Sequence, residues 1–97
     1  MAIRVIVEFT ALPGRRDELR AVFEELLAAQ GDDLPGFLGS CRFERPDQPD
    51  VLVEIADWES AAARDAHLRE AAATGSFGPL IELLAEPFRV DVLHRLD

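Results

Sequence analysis

The sequence contains no lysine, one cysteine, one tryptophan and two histidines in 97 residues, and nowhere do about 18 apolar residues follow one another. Each shortage removes a class of chemistry. A glycine-rich phosphate loop is not expected, because Leu12-Pro13-Gly14 and Thr74-Gly75-Ser76-Phe77-Gly78 lack its glycine spacing and the lysine of a P-loop is absent. Cys41 has no partner for an internal disulfide, and a lone thiol in a strand-like stretch reads as a small core residue. His67 and His94 are far apart on different segments, so metal-ligand spacing is absent and no metal is expected. Ser40, Ser60 and Ser76 have no adjacent histidine and no nucleophile-elbow turn, which leaves covalent acyl transfer without support. Basic residues are outnumbered 10 to 19 by acidic ones, the net charge is -9, and no run of arginine occurs. Neither a phosphate backbone nor an anionic lipid surface finds a footprint here, so nucleic acid and membrane are not expected as partners. The amino-terminal apolar run is too short for a signal peptide, and the expected location is the cytoplasm.

What is present is the composition of one folded domain spanning 1–97, with 48% apolar residues. A chain of this length buries roughly 60 to 65% of its unfolded surface. Its core is marginal, and a second subunit is expected.

Glycine and proline divide the chain into pieces of strand or helix length. Ile3, Val5, Val7 and Phe9 alternate along a strand over 3–11. Leu19, Val22, Phe23, Leu26 and Leu27 recur at three and four, predicting a helix that ends near Gly31. Phe37 to Glu44 and Val51 to Trp58 are again period-two, joined by a proline-bearing loop over 45–50, and read as a hairpin. Ser60 is placed as N-cap of an alanine-rich helix over 61–73. A short helix over about 79–85 and a strand over 88–96 complete the order βαββαβ. That order predicts an α+β, ferredoxin-like sandwich, a four-stranded antiparallel sheet with helices on one face.

Sorting the strands by parity assigns to the helix-covered face Ile3, Val5, Val7, Phe9, Phe37, Cys41, Phe43, Val51, Val53, Ile55, Phe88, Val90 and Val92. The opposite face then carries Ile6, Leu38, Leu52, Ala56 and Leu93 interleaved with Arg4, Arg42, Arg89, Arg95, Glu8, Glu44, Glu54 and Asp91. Such a mixture is too apolar for a solvated face and too charged for a core. It favours two sheets meeting across a symmetric interface, each arginine finding a carboxylate on the other copy, over an exposed face with local cross-strand pairs.

The residues left with chemical potential are Trp58 and His67, at the two ends of one strand-to-helix unit, with Glu54 preceding Trp58 on the strand. His67 falls about two turns into the second helix beside Ala63 and Ala66, whose small side chains leave room for a flat ligand. With an ordinary pKa near 6.5, a buried imidazole stays neutral and accepts a proton at neutral pH. The same residues also read as plain structure, Trp58 closing the core and His67 flanking a helix edge.

Four segments carry a resemblance: Phe9-Thr10-Ala11-Leu12-Pro13-Gly14-Arg15-Arg16-Asp17-Glu18-Leu19, Leu34-Pro35-Gly36-Phe37-Leu38, Asp57-Trp58-Glu59-Ser60 and Ala66-His67-Leu68. In this order, and over nearly the whole chain, they resemble the antibiotic biosynthesis monooxygenase family of small dimeric α+β barrels. The resemblance implies a homodimer through the sheet face and oxygenation of an aromatic small molecule by dioxygen without flavin, haem or metal. A polycyclic phenol, anthrone or quinol, once deprotonated, reduces dioxygen itself, and the protein need only bind, deprotonate and exclude water. On that pattern Trp58 lines the pocket and orients the substrate, His67 is the base, and Glu54 and Arg64 are secondary polar contacts.

The sequence also departs from the family pattern. Glu54 stands where the anthrone oxygenases have asparagine, Arg64 where they have tyrosine, and Phe43 where a second-strand histidine is found. Burial would raise the pKa of Glu54 and let it replace a lost polar group as base. Val7 and Ile81 are apolar where the haem-degrading branch has asparagine and an iron-binding histidine, which argues against haem. Val7, Phe43 and Ile81 are accordingly expected as apolar substrate contacts. About four extra residues, Arg69-Glu70-Ala71-Ala72, are expected to lengthen a loop at the pocket mouth, and Ser76 stands where a second histidine is common. Two other functions use the same framework: a polyketide cyclase or isomerase, which needs the base but no oxygen, and a non-catalytic dimeric ligand-binding module.

Overall fold

Two strands, β1 (Ile3–Thr10) and β3 (Gln48–Trp58), form the centre of a four-stranded antiparallel sheet whose edges are β2 (Phe37–Arg45) and β4 (Arg89–His94), in the order β2-β3-β1-β4. The computed structural model describes residues 2–30 and 34–96. Helix α1 (Arg16–Gln30) connects β1 to β2, and α2 (Ala61–Thr74) with the single-turn α3 (Gly78–Ile81) connects β3 to β4. This is the expected ferredoxin-like arrangement. The expected end of α1 at Gly31 lies outside the described residues.

Residues directly opposed in an antiparallel pair share a face of the sheet. Ile3, Val5, Val7 and Phe9 oppose Trp58, Ala56, Glu54 and Leu52, and this face packs under the helices. Its centre is the core, where Ile3, Val5, Phe9, Leu52, Ala56 and Trp58 are buried with Leu19 of α1 and Leu80 of α3. The Ser60 hydroxyl caps α2 by accepting the Ala63 N–H at 3.1 Å. Gly75, in the left-handed conformation with φ 69°, ends the helix.

The pairing corrects the predicted faces of β2 and β3. Val51, Val53 and Ile55 oppose Thr10, Glu8 and Ile6, so they lie on the uncovered face, and Leu52, Glu54 and Ala56 lie beneath the helices. Cys41 and Phe43 oppose Ile55 and Val53 and go with them. Cys41 is exposed rather than a core residue. For β2 the physical cause is a register shift between Phe37 and Gly39 at its start. Phe37 points under the helices beside Trp58, and the residues after the bulge change face.

The hairpin turn is also tighter than expected. Strand β3 begins at Gln48, opposite Arg45, and a second register shift between Glu44 and Arg45 leaves Pro49 outside the regular ladder. The four residues Arg69 to Ala72 lie within α2, inside the helix expected over 61–73, and lengthen that helix rather than a loop. Several arginines find carboxylates within their own chain. Arg4 pairs with Asp57 at 2.9 Å, Arg45 with Glu8 at 3.1 Å and Arg16 with Glu44 at 3.1 Å. No helix among the described residues is long and apolar enough to cross a membrane.

Candidate active site

Strand β3 supplies every other residue to the floor of a cavity that α1, α2 and α3 roof over. The cavity measures about 110 Å³, and its walls include Val5, Val7 and Phe9 of β1, Glu54, Ala56 and Trp58 of β3, and Arg64 and His67 of α2. Phe23, Leu26 and Leu27 of α1 close one side, and Phe77, Ile81 and Phe88 line the far end. Its lining is almost entirely hydrocarbon. The polar side chains that reach it are Glu54, Arg64, His67 and Gln30.

His67 lies with its ring centroid 5.4 Å from that of Trp58 and tilted by 30°. On its other side Phe77 meets it edge-on at 6.1 Å, and Phe37 meets Trp58 at 5.2 Å. The imidazole is thus held in an aromatic slot by residues of β2, β3, α2 and the turn after α2. Burial pulls its pKa below the ordinary value, with Arg64 acting in the same direction and Glu70 opposing both. His67 also borders a second, more polar recess with Gln30, Glu70, Thr74 and Ser76, where the Thr74 and Ser76 hydroxyls are 2.6 Å apart. His67, Gln30 and Leu34 line both the apolar chamber and the polar one.

Glu54 sits on the cavity floor between Val7 of β1 and Arg42 of β2. Burial pushes its carboxyl up to about 7, against the opposing pull of Arg42, Ser40 and Arg64. Arg42 itself donates to the Ser40 hydroxyl at 3.1 Å and lies 3.9 Å from Glu24 of α1.

The cavity brings together Trp58, His67, Glu54, Arg64, Val7 and Ile81. Phe43, expected as a substrate contact, is a correction: the shifted register of β2 places it on the uncovered face of the sheet, where it is half exposed. Phe23, Phe77 and Phe88 are cavity walls that sequence reasoning misses. Helical or strand periodicity marks such aromatics as core, and only the packed structure shows that they border empty space. Among the described residues no group of three or more His, Cys, Asp or Glu side chains is placed to hold a metal ion.

The sequence model of the family described as antibiotic biosynthesis monooxygenase matches residues 2–75, a span that includes β1, the cavity floor, Trp58 and His67. The chain belongs to the antibiotic biosynthesis monooxygenase family. Solved structures agree with this assignment. Rv0793 from Mycobacterium tuberculosis is 28% identical, with a TM-score of 0.80, over 100% of this chain and 97% of that one. SnoaB from Streptomyces nogalater, a cofactor-independent oxygenase, is 20% identical with a TM-score of 0.80, covering 99% and 94% of the two chains. A conserved protein from Methanosarcina mazei Go1 reaches a TM-score of 0.82 at 19% identity, over 98% of this chain and 93% of that one. No curated protein sequence matches the chain. The structural likenesses below a quarter identity speak for the fold, and the antibiotic biosynthesis monooxygenase assignment rests on the family model.

Proposed function

We propose that the protein is a cofactor-independent monooxygenase that oxidises a polycyclic phenol, anthrone or quinol with dioxygen, working as a homodimer joined through the uncovered sheet face. The observation that carries this reading is the imidazole of His67 set against the Trp58 ring in the wall of an apolar cavity. Trp58 orients a flat aromatic substrate by ring contact. His67 removes a proton from it, and the electron-rich anion then adds dioxygen. Where the reacting atom is a methylene carbon, it becomes a carbonyl carbon. One oxygen atom of dioxygen stays as the carbonyl oxygen, the other leaves as water with both methylene hydrogens, and the substrate supplies all four electrons. Dry walls keep the intermediate from solvent and fix its geometry. Glu54 and Arg64 supply polar contacts, and Val7 and Ile81 supply apolar ones.

Oxygen uptake by the purified, chelator-treated protein tests the reading, with anthrones, naphthohydroquinones and polyphenols as substrates and a no-enzyme control for autoxidation. Uptake above the control is expected, and His67→Ala is expected to lower it by about 10²-fold or more, as loss of a general base does. Background uptake by the wild-type protein across the whole series would refute the oxygenase. If ligands still quench Trp58 fluorescence in that case, the cavity belongs to an isomerase or a binding module.

A further inference from the structure

His67 and Glu54 enter the same cavity from different walls. Glu54 and Trp58 are four residues apart on one face of β3, which sets their Cα atoms about 13 Å apart along the strand. His67 rests against the Trp58 end. A ring system laid along the floor therefore has the imidazole at one end and the carboxyl at the other.

The charged and titratable groups facing Glu54 are Arg42 from β2 and Arg64 from α2, and the Ser40 hydroxyl, which accepts from Arg42, also acts on the Glu54 carboxyl as a hydrogen-bond partner. From β1 it meets the aliphatic Val7, and α1 brings Glu24 to within 3.9 Å of Arg42. Among the described residues no ion pair within 4.0 Å includes Glu54, because Arg42 is directed to Ser40 and Glu24. Burial in such a place lets the carboxyl keep its proton up to about pH 7. A neutral acid facing a neutral imidazole across an apolar space is the arrangement in which one group gives a proton as the other takes one.

We propose that Glu54 is the proton donor of the site, protonating an oxygen of the bound substrate while His67 removes a proton from carbon. The substrate is accordingly a ketone with an acidic C–H bond removed from its carbonyl along a conjugated ring, entering in its keto form. The C–H bond breaks with its proton passing to His67. The electron pair moves through the ring to the carbonyl, and a new O–H bond forms with the Glu54 proton, giving the enol. Nothing is oxidised in this step. The carboxylate left behind faces Arg42 and Arg64, and the imidazolium returns its proton through solvent. This inference rests on the reading of the cavity as a substrate site with His67 as base, and it adds an acid that acts before dioxygen does.

The test is run under argon in heavy water with anthrone as probe, following loss of the methylene proton signal by NMR for the wild type, Glu54→Gln and Glu54→Asp, with oxygen uptake measured in parallel. The wild type is expected to exchange faster than buffer, with the rate falling as pH rises through about 7. Glu54→Gln is expected to lose about 10²-fold in exchange and the high-pH limb with it, while anthrone still quenches Trp58. Glu54→Asp, which keeps a carboxyl, is expected to recover part of the rate. A Gln variant that exchanges like the wild type, or a wild-type profile with no high-pH limb, would overturn the proposal. So would oxygen uptake without enzyme-dependent exchange. Exchange that needs Glu54 with oxygen uptake at background would retain the acid–base pair and remove the oxygenase.

Discussion

Burial acts on Glu54 and His67 alike, disfavouring the charged form of each, yet it moves their pKa values in opposite directions. The consequences for stability therefore fall on opposite sides of neutrality. Between the ordinary carboxylate value of 4.5 and about 7 the folded chain holds a proton on Glu54 that the unfolded chain has released. Stability from this group is full below the lower value and is lost as pH rises through the upper one. For His67 the folded pKa is depressed, so its contribution is present above the ordinary value of 6.5 and is lost as pH falls through the lowered one. Glu54→Gln removes the first effect. Its melting temperature is expected to gain on the wild type between pH 5 and pH 8, by a difference worth on the order of 3 kcal/mol at most. Parallel melting curves of the two proteins over that range would show the idea to be mistaken. Leu19, fully buried between α1 and the sheet, carries the ordinary core counterpart: Leu19→Ala is expected to cost about 2–5 kcal/mol in denaturant titration.

Where elements meet, one glycine controls the approach of α2 to the sheet. Gly36 has φ +79°, and a Cβ built on it would lie 2.5 Å from the Ala63 Cβ of α2, while its carbonyl accepts the Glu59 N–H at 2.7 Å. Gly36→Ala therefore meets left-handed strain and a side-chain clash together, and is expected to destabilise by about 2–4 kcal/mol. Adding Ala63→Gly should recover only the clash, giving a coupling of about 1 kcal/mol in a double-mutant cycle. The absence of coupling would mean that strain alone is at work. The strand phase shows what the sequence makes legible. Alternation in β1 and β4 is readable because each has one apolar face, and the Ser60 cap and the alanine run locate α2. In β3 both faces are apolar, Val51, Val53 and Ile55 on one and Leu52 and Ala56 on the other, so alternation carries no phase. Phase there is set by pairing with β1, and in β2 by the bulge after Phe37. The same ambiguity hides the burial of Glu54: parity turns it outward, and only pairing with Val7 places it in the cavity. Trp58 and His67 can be found because both sit at the junction of β3 and α2, where the segment order already brings them together.

At the scale of the molecule the uncovered sheet face is the feature a single chain leaves unresolved. Ile6 and Ile55 oppose each other at its centre, Cys41 and Phe43 flank them on β2, and Leu93 lies toward β4. Phe43 and Leu93 remain 49% and 45% exposed. The Arg4–Asp57 and Arg45–Glu8 pairs satisfy charges within the same face, so a covering subunit would bury mainly hydrocarbon and already-paired ions. The proposed dimer has a direct consequence for Cys41, which is exposed in one chain and lies beside the centre of this face. In the wild type its thiol is expected to react slowly with dithionitrobenzoate, and sedimentation should give twice the chain mass. Phe43→Arg places a charge on the interface face beside its centre while leaving the core and the cavity walls untouched. That variant is expected to sediment as a monomer, to expose Cys41 to rapid reaction, and to retain quenching of Trp58 by ligand. A wild-type monomer with a fast-reacting thiol would refute the interface. A dimer whose thiol reacts freely and whose mass is indifferent to Phe43→Arg would place the contact on another surface.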